Sequence, residues 1–252
     1  MLIPTIILPS RCSVKLVGMA LGRLWVCSRR FVQKAVKAGY IDLPGEFPDT
    51  KPSGKIQIKR KESSSNPQIT ILEGFPRTVV GELIFCHQDN LNTDGIFPGK
   101  YTYNDDFTPA QQAQVVMENY DPEFGKIVKE GDILVGGFNF GTGSSREQAA
   151  TALKYRGICL VLAGSFSETY KRNAINNGFL VIDAPELVKN LKEKYGTSKL
   201  SVRTGIQAKI DFSQSRLEAL GETYSIDPVG TAAQELVIAG GLENWVKARL
   251  NV

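Results

Sequence analysis

The sequence predicts an α/β domain over residues 71–252, preceded by a basic N-terminal segment over residues 1–41 and a linker over residues 42–70. Three observations carry this. From residue 79 onward, short apolar runs alternate with stretches of helical composition. Charge divides the chain, since residues 1–61 hold twelve Lys/Arg against three Asp/Glu and residues 62–252 hold eighteen against twenty-three. Between the two lies a stretch rich in Pro, Ser and charge (residues 44–68) that cannot bury a core.

Taken in order, the first 41 residues contain no Asp or Glu but carry Arg11, Lys15, Arg23, Arg29, Arg30, Lys34 and Lys37. Arg23, Arg30, Lys34 and Lys37 recur at helical spacing, with Leu24, Trp25, Phe31 and Val32 between them. An acid-free, amphipathic, Arg- and Ser-bearing start reads as mitochondrial targeting, to the matrix, with an ordinary basic helix and a cytoplasmic location as the alternative. Residues 79–86 form an apolar strand candidate. Residues 110–120 read as a helix entered through Thr108-Pro109, an N-cap followed by Pro in the first turn. Residues 133–140 and 158–163 read as strands, and residues 145–155 as a helix ended by Gly157. A helix over 168–176 stops at Asn177-Gly178, a strand returns over 179–182, and Pro185 opens a helix to residue 195. Residues 207–212 and their successors suggest short antiparallel strands. A closing helix over 236–250 is interrupted at Gly240-Gly241.

Composition removes several function classes. The folded part is slightly acidic, which disfavours a nucleic-acid surface, because phosphate neutralisation needs clustered positive charge. No apolar run reaches membrane-spanning length. Cys12, Cys27, Cys86 and Cys159 show no C-x-x-C spacing, which argues against a disulfide framework, a zinc ribbon and a self-contained iron–sulfur site. Cys86 and Cys159 sit in apolar stretches and are expected to be buried and inert. The single histidine, His87, rules out multi-His metal sites.

The most informative stretch is Phe138-Asn139-Phe140-Gly141-Thr142-Gly143-Ser144-Ser145-Arg146-Glu147-Gln148-Ala149. An apolar strand enters a Gly-rich turn that opens into a helix. Unpaired N–H groups and the dipole at a helix start favour an anion, and Arg146 can fork onto a carboxylate. Ser144 with Glu147 three residues later is equally a capping box that needs no ligand. The residues alone leave both readings open.

Gly143-Ser144-Ser145-Arg146-Glu147 is similar to the G-S-S-R-E sequence of the aconitase-type hydro-lyases, which include aconitases, isopropylmalate isomerases and homoaconitases. Asp89-Asn90-Leu91-Asn92-Thr93-Asp94-Gly95-Ile96-Phe97-Pro98-Gly99-Lys100 resembles the N-x-N-T-D-x-I-x-P-G-K segment of their small, swivelling domain. The likeness continues through Glu118-Asn119-Tyr120-Asp121, Ser165-Phe166, Arg172-Asn173-Ala174-Ile175-Asn176-Asn177 and Gly240-Gly241-Leu242-Glu243-Asn244-Trp245-Val246. Gly99-Lys100-Tyr101-Thr102-Tyr103 and the closing Gly-Gly-Leu-Glu-x-Trp look most like the fungal homoaconitase branch.

The resemblance implies a swivelling β/β/α domain of the aconitase small-subunit type. It implies Ser144 as proton-abstracting base, Asp94 on the acid side of the site, and Ser145 and Arg146 on substrate oxygens. Lys100, Tyr101, Thr102 and Tyr103 fall in the loop that meets the variable part of a di- or tricarboxylate. It further implies a [4Fe–4S] cluster held by a large subunit or domain, since nothing here replaces the family's cluster cysteines. The implied reaction interconverts homocitrate, homoaconitate and homoisocitrate in lysine biosynthesis via aminoadipate. An isopropylmalate isomerase small subunit, in leucine biosynthesis, or a non-catalytic remnant are the alternatives.

Overall fold

The computed structural model describes residues 70–104 and 106–250. The basic segment, Cys12, Cys27 and nearly all of the linker lie outside the described residues. The architecture is one seven-stranded mixed sheet with the order β4-β3-β2-β1-β5-β6-β7. Strands β1 (Thr78–Cys86), β2 (Ile133–Gly136), β3 (Leu160–Ala163) and β4 (Leu180–Asp183) run parallel. Strands β5 (Ser201–Asp211), β6 (Arg216–Ala219) and β7 (Glu222–Ser225) extend the sheet antiparallel from β1.

Parallel neighbours need a crossover connection, and helices supply it here. Between β1 and β2 come α1 (Thr93–Ile96), a 3₁₀ turn (Gly99–Tyr101), α2 (Pro109–Val115) and α3 (Phe124–Ile127). Helix α4 (Gln148–Tyr155) joins β2 to β3, and α5 (Glu168–Asn176) joins β3 to β4. Helix α6 (Pro185–Tyr195) leads to β5, and α7 (Thr231–Ala239) and α8 (Leu242–Leu250) close the chain.

Side-chain alternation along the central strands makes two cores. Ile84, Cys86, Leu134, Val161 and Val181 pack under Ile96, Phe124, Ala149, Leu153, Tyr170 and Ala174 on one face. Leu83, Phe85, Ile133, Val135, Leu160 and Leu162 face the other way, against Leu187, Val188 and Leu191 of α6 and Ala208, Ile210 and Leu217 of the antiparallel strands. The inner strands read as unbroken apolar runs because both faces are covered.

Several elements differ from the sequence expectation, each for a local reason. Helix α2 ends at Val115: Val116 is extended, and Met117 takes φ 66° while sitting fully buried, so core packing overrides helical composition. Its start follows the sequence, with Thr108 and Gln111 forming a reciprocal capping box. Strand β2 stops at Gly136, four residues short of the expected end. Cys86 is buried, and burial pushes its thiol up to about 12. Cys159, expected to be buried, is exposed: it precedes β3 by one residue, and its N–H donates to the Asp132 carbonyl at 2.9 Å. Helix α4 begins at Gln148, three residues later than the capping-box pattern suggests, and Glu147 at its N-cap makes no side-chain cap.

Candidate functional site

The chemistry-bearing residues gather beyond the C-terminal ends of the parallel strands, where open α/β sheets present their ligand sites. Two loops build the floor. The loop after β1 and the loop after β2 are laced together by Asn90 N–H to Phe138 O (2.7 Å), Gly141 N–H to Leu91 O (2.8 Å) and Thr93 N–H to Thr142 O (2.8 Å). Asn90 and Asn139 both adopt φ 55°, a left-handed conformation that Asn tolerates, and the Asn139 amide donates to Asn90 Oδ1 at 2.8 Å. Asp89 accepts from Phe138 N–H at 2.6 Å and pairs with Lys192 of α6 at 2.6 Å.

Gly141 and Gly143 shape the turn. Both have positive φ (73° and 103°), and a Cβ on Gly141 would meet Tyr170 at 2.3 Å. The turn is braced from behind by the third connection, with Ser167 Oγ donating to Gly141 O (2.8 Å) and the Asn173 amide donating to Ser145 O (3.1 Å). Ser144 and Ser145 are left exposed on the rim.

Ser144 does not cap a helix. Its Oγ lies 2.9 Å from Thr93 Oγ1, across the two loops. The capping-box reading of Ser144 and Glu147 is therefore corrected: the hydroxyl is engaged fifty-one residues away in sequence, and α4 starts beyond it. Among the described residues, no protein acceptor takes the backbone N–H groups of residues 144–148. A run of unpaired donors preceding a helix is an anion-binding arrangement.

Asp94 and Arg146 form the other half. Arg146 Nη1 donates to Asp94 Oδ1 (2.8 Å) and to Phe97 O (3.0 Å). Asp94 Oδ1 also accepts from Gly99 N–H at 2.9 Å, and Oδ2 from the Asn119 amide at 3.2 Å. The Arg146 hydrogen bond, with the Gly99 N–H behind it, holds the Asp94 carboxyl below the usual carboxylate range. Asn92 caps α1 by accepting from Gly95 N–H at 2.8 Å, which fixes the turn carrying Asp94.

Thr102, Tyr103, Ser144, Ser145, Arg146, Glu147 and Gln148 line an open depression of about 400 Å³. The structure thus brings Ser144, Ser145, Arg146, Thr102 and Tyr103 to one surface, with Asp94 behind Arg146. Lys100 and Tyr101 turn elsewhere. The Lys100 ammonium pairs with Glu118 at 2.8 Å and lies over the Tyr101 ring, and that ring stacks on Phe107 at 4.8 Å. Sequence reading gave no role to Thr93, Asn119 or Asn173, although each stands within a motif stretch. Their place inside the motif stretches was the available signal; the structure adds that Thr93 and Asn173 are buried, whereas Asn119 is exposed.

Among the described residues no group of three or more His, Cys, Asp or Glu could hold a metal ion. The described part of the chain therefore does not fit an iron–sulfur cluster. No helix among the described residues is long and apolar enough to cross a membrane.

Residues 56–187 match the aconitase C-terminal domain. Homoaconitase, mitochondrial, of Candida parapsilosis is 46% identical over 217 residues, covering 83% of this chain and 31% of that protein. Homoaconitase, mitochondrial, of Chaetomium globosum is 51% identical over 189 residues, covering 73% of this chain and 24% of that protein. The chain thus spans about a quarter to a third of the length of these relatives. The crystal structure of a 3-isopropylmalate dehydratase from Methanocaldococcus jannaschii superposes with a TM-score of 0.58 at 35% identity, covering 69% of this chain and 96% of the other.

Proposed function

The chain belongs to the aconitase family, as its C-terminal domain, and from that premise we propose that it is the substrate-binding swivel domain of a homoaconitate hydratase. In this reading it works with a cluster-bearing large domain or subunit on a tricarboxylate, within lysine biosynthesis via aminoadipate. The carrying observation is the convergence of Ser144, Ser145 and Arg146 on one open depression, beside a run of unpaired backbone donors.

The chemistry follows from these groups. A substrate carboxylate docks on the backbone N–H groups of residues 144–148 and on the Arg146 guanidinium. Ser144 Oγ, as alkoxide, takes the proton from the carbon next to a carboxylate. The freed electron pair forms the C=C bond as the hydroxyl leaves the neighbouring carbon, protonated from the acid side of the site, as water. Readdition of water in the opposite sense gives the isomer. Asp94, kept ionised by Arg146, fixes that guanidinium on the acid side. A [4Fe–4S] cluster held by a large partner would supply Lewis acidity toward the leaving hydroxyl; this chain's part is to hold the carboxylate and move the carbon-bound proton.

A serine hydroxyl is far too weakly acidic to ionise unaided. Unpaired backbone donors and Arg146 supply the positive field that lowers its pKa. Tyr103, 94% exposed on the depression, and Thr102 are placed to meet the part of the substrate that varies between homologous acids. The names of the fungal relatives support the homoaconitate substrate over the isopropylmalate alternative, and also a mitochondrial location, for which residues 1–41 would serve as the targeting segment.

The test is reconstitution. Combined with the cluster-bearing large domain of a fungal homoaconitase, the chain should hydrate homoaconitate with higher kcat/KM than it shows for the isopropylmalate-type alkene. A properly assembled complex that turns over neither, or prefers the latter, overturns the proposal.

A further inference from the structure

We infer that Thr93 is the positioning residue for Ser144, presenting its hydroxyl as the fixed donor to the Ser144 oxygen when that oxygen is anionic. The inference rests on the proposed role of Ser144 as base, and adds the group that orients it and lowers its pKa.

Four observations carry it. Thr93 Oγ1 lies 2.9 Å from Ser144 Oγ, a full hydrogen bond between two hydroxyls. Thr93 is 2% exposed, whereas Ser144 is open to the depression. The Thr93 backbone is held at both ends, its N–H donating to Thr142 O (2.8 Å) and its carbonyl accepting from Phe97 N–H (2.9 Å). Among the described residues, Ser144 Oγ is the one side-chain partner of Thr93 Oγ1.

These facts set the direction of the bond in the reactive state. Between two neutral hydroxyls either oxygen can donate. Once Ser144 has lost its proton it can only accept, so the Thr93 proton must point at it. A β-branched side chain buried on a fixed backbone has little χ1 freedom left, so the donor is in place before the charge forms. A hydrogen bond to an ion is roughly twice as strong as one between neutral groups, and it favours the ionised form. Thr93 keeps its own proton throughout and takes no part in bond breaking. Asp94 is the next residue, so α1 delivers the donor to the base and the anchor of Arg146 together.

A purely structural role would have Thr93 only pinning the two loops. Thr93→Val keeps the shape and removes the hydroxyl, and Thr93→Ser restores it. In the reconstituted complex, Thr93→Val should lower kcat about ten- to hundredfold with KM changed less than about threefold. The acid limb of its kcat–pH profile should move to higher pH, and Thr93→Ser should recover most of both. Adding Thr93→Val to Ser144→Ala should lower the residual rate no further. In the chain alone, the Thr93 hydroxyl proton should give a protected NMR resonance that shifts in Ser144→Ala. If Thr93→Val fails to fold, Thr93→Ala takes its place with the same expectations. Unchanged kcat and pH profile in a folded Thr93→Val, beside an inactive Ser144→Ala, would overturn the role of Thr93 and leave the base intact. An active Ser144→Ala would instead remove the base, and the role of Thr93 with it.

Discussion

Arg146 and Asp94, fifty-two residues apart in sequence, meet at 2.8 Å, and the same Nη1 also donates to the Phe97 carbonyl. Asp94 thereby ties the loop after β1 to the reactive turn and leaves the outer edge of the guanidinium for a ligand. Arg146→Lys keeps the charge but loses the planar fork that can serve Asp94 and a substrate carboxylate together. The expected outcome in the reconstituted enzyme is a KM raised by about tenfold or more, with kcat within about threefold, measured by steady-state kinetics.

Acid should loosen this arrangement. Asp94 is held low by Arg146 and the Gly99 N–H. Burial alone would raise Asp89, but Lys192 and the Phe138 N–H outweigh it and hold it low as well. Both carboxyls have a folded-state pKa below the unfolded one. Their contribution to stability is therefore full above the unfolded pKa of about 3.9 and is lost as pH falls through the folded values. Thermal unfolding followed from pH 6 downward should show stability falling below about pH 4. Asp89→Asn should flatten that fall, because Asn has no proton to gain.

The 3₁₀ turn separates two tyrosines that look alike in sequence. Tyr101 stacks on Phe107 and lies near Phe97, whereas Tyr103 is 94% exposed on the depression. Tyr101→Ala should cost about 1–3 kcal/mol of stability by urea denaturation. Tyr103→Ala should leave the midpoint unchanged and move the ratio of kcat/KM between homologous substrates. An unmoved ratio would place substrate choice in the large partner.

How much of this could be read from the chain alone depended on how local each cause was. Helix α6 runs Pro185–Tyr195 as expected, because Pro at its start and Gly196 after it are local instructions. The start of α4 was not legible, because the Ser144 hydroxyl goes to Thr93 rather than to a neighbouring N–H. Met117 was read into a helix that ends before it, since burial in the core decides its backbone. The Gly-rich turn carrying Ser144 was legible, although it is longer than expected, with β2 ending at Gly136 and α4 starting at Gln148. That Thr102 and Tyr103 join it while Lys100 and Tyr101 turn away depends on Glu118 and Phe107, which no local pattern couples to the loop.

The return from α5 to β4 depends on a close backbone approach. Gly178 has φ 64°, and a Cβ there would meet the Gly240 carbonyl carbon at 2.6 Å and the Gly241 nitrogen at 2.8 Å. Lys154 spans the same junction, donating to Asn177 O (2.8 Å) and Gly240 O (3.3 Å). Gly178→Ala should therefore destabilise by about 1–3 kcal/mol, through both the strained φ and the backbone clash. The ordinary Gly-to-Ala gain from a stiffer unfolded chain is smaller, so denaturant melts should give a lower midpoint.

The central claim is that Ser144 removes a proton, and the structure separates this from capping, because its hydroxyl bonds no helix N–H. The direct measurement is kcat and thermal midpoint for Ser144→Ala in the reconstituted enzyme. No cap is lost, but the buried Thr93 hydroxyl loses its partner, so stability should fall by only about 1–3 kcal/mol, while kcat falls by about three orders of magnitude or more and substrate still binds through Arg146. A folded Ser144→Ala enzyme that turns over within about tenfold of the unaltered rate would contradict the account.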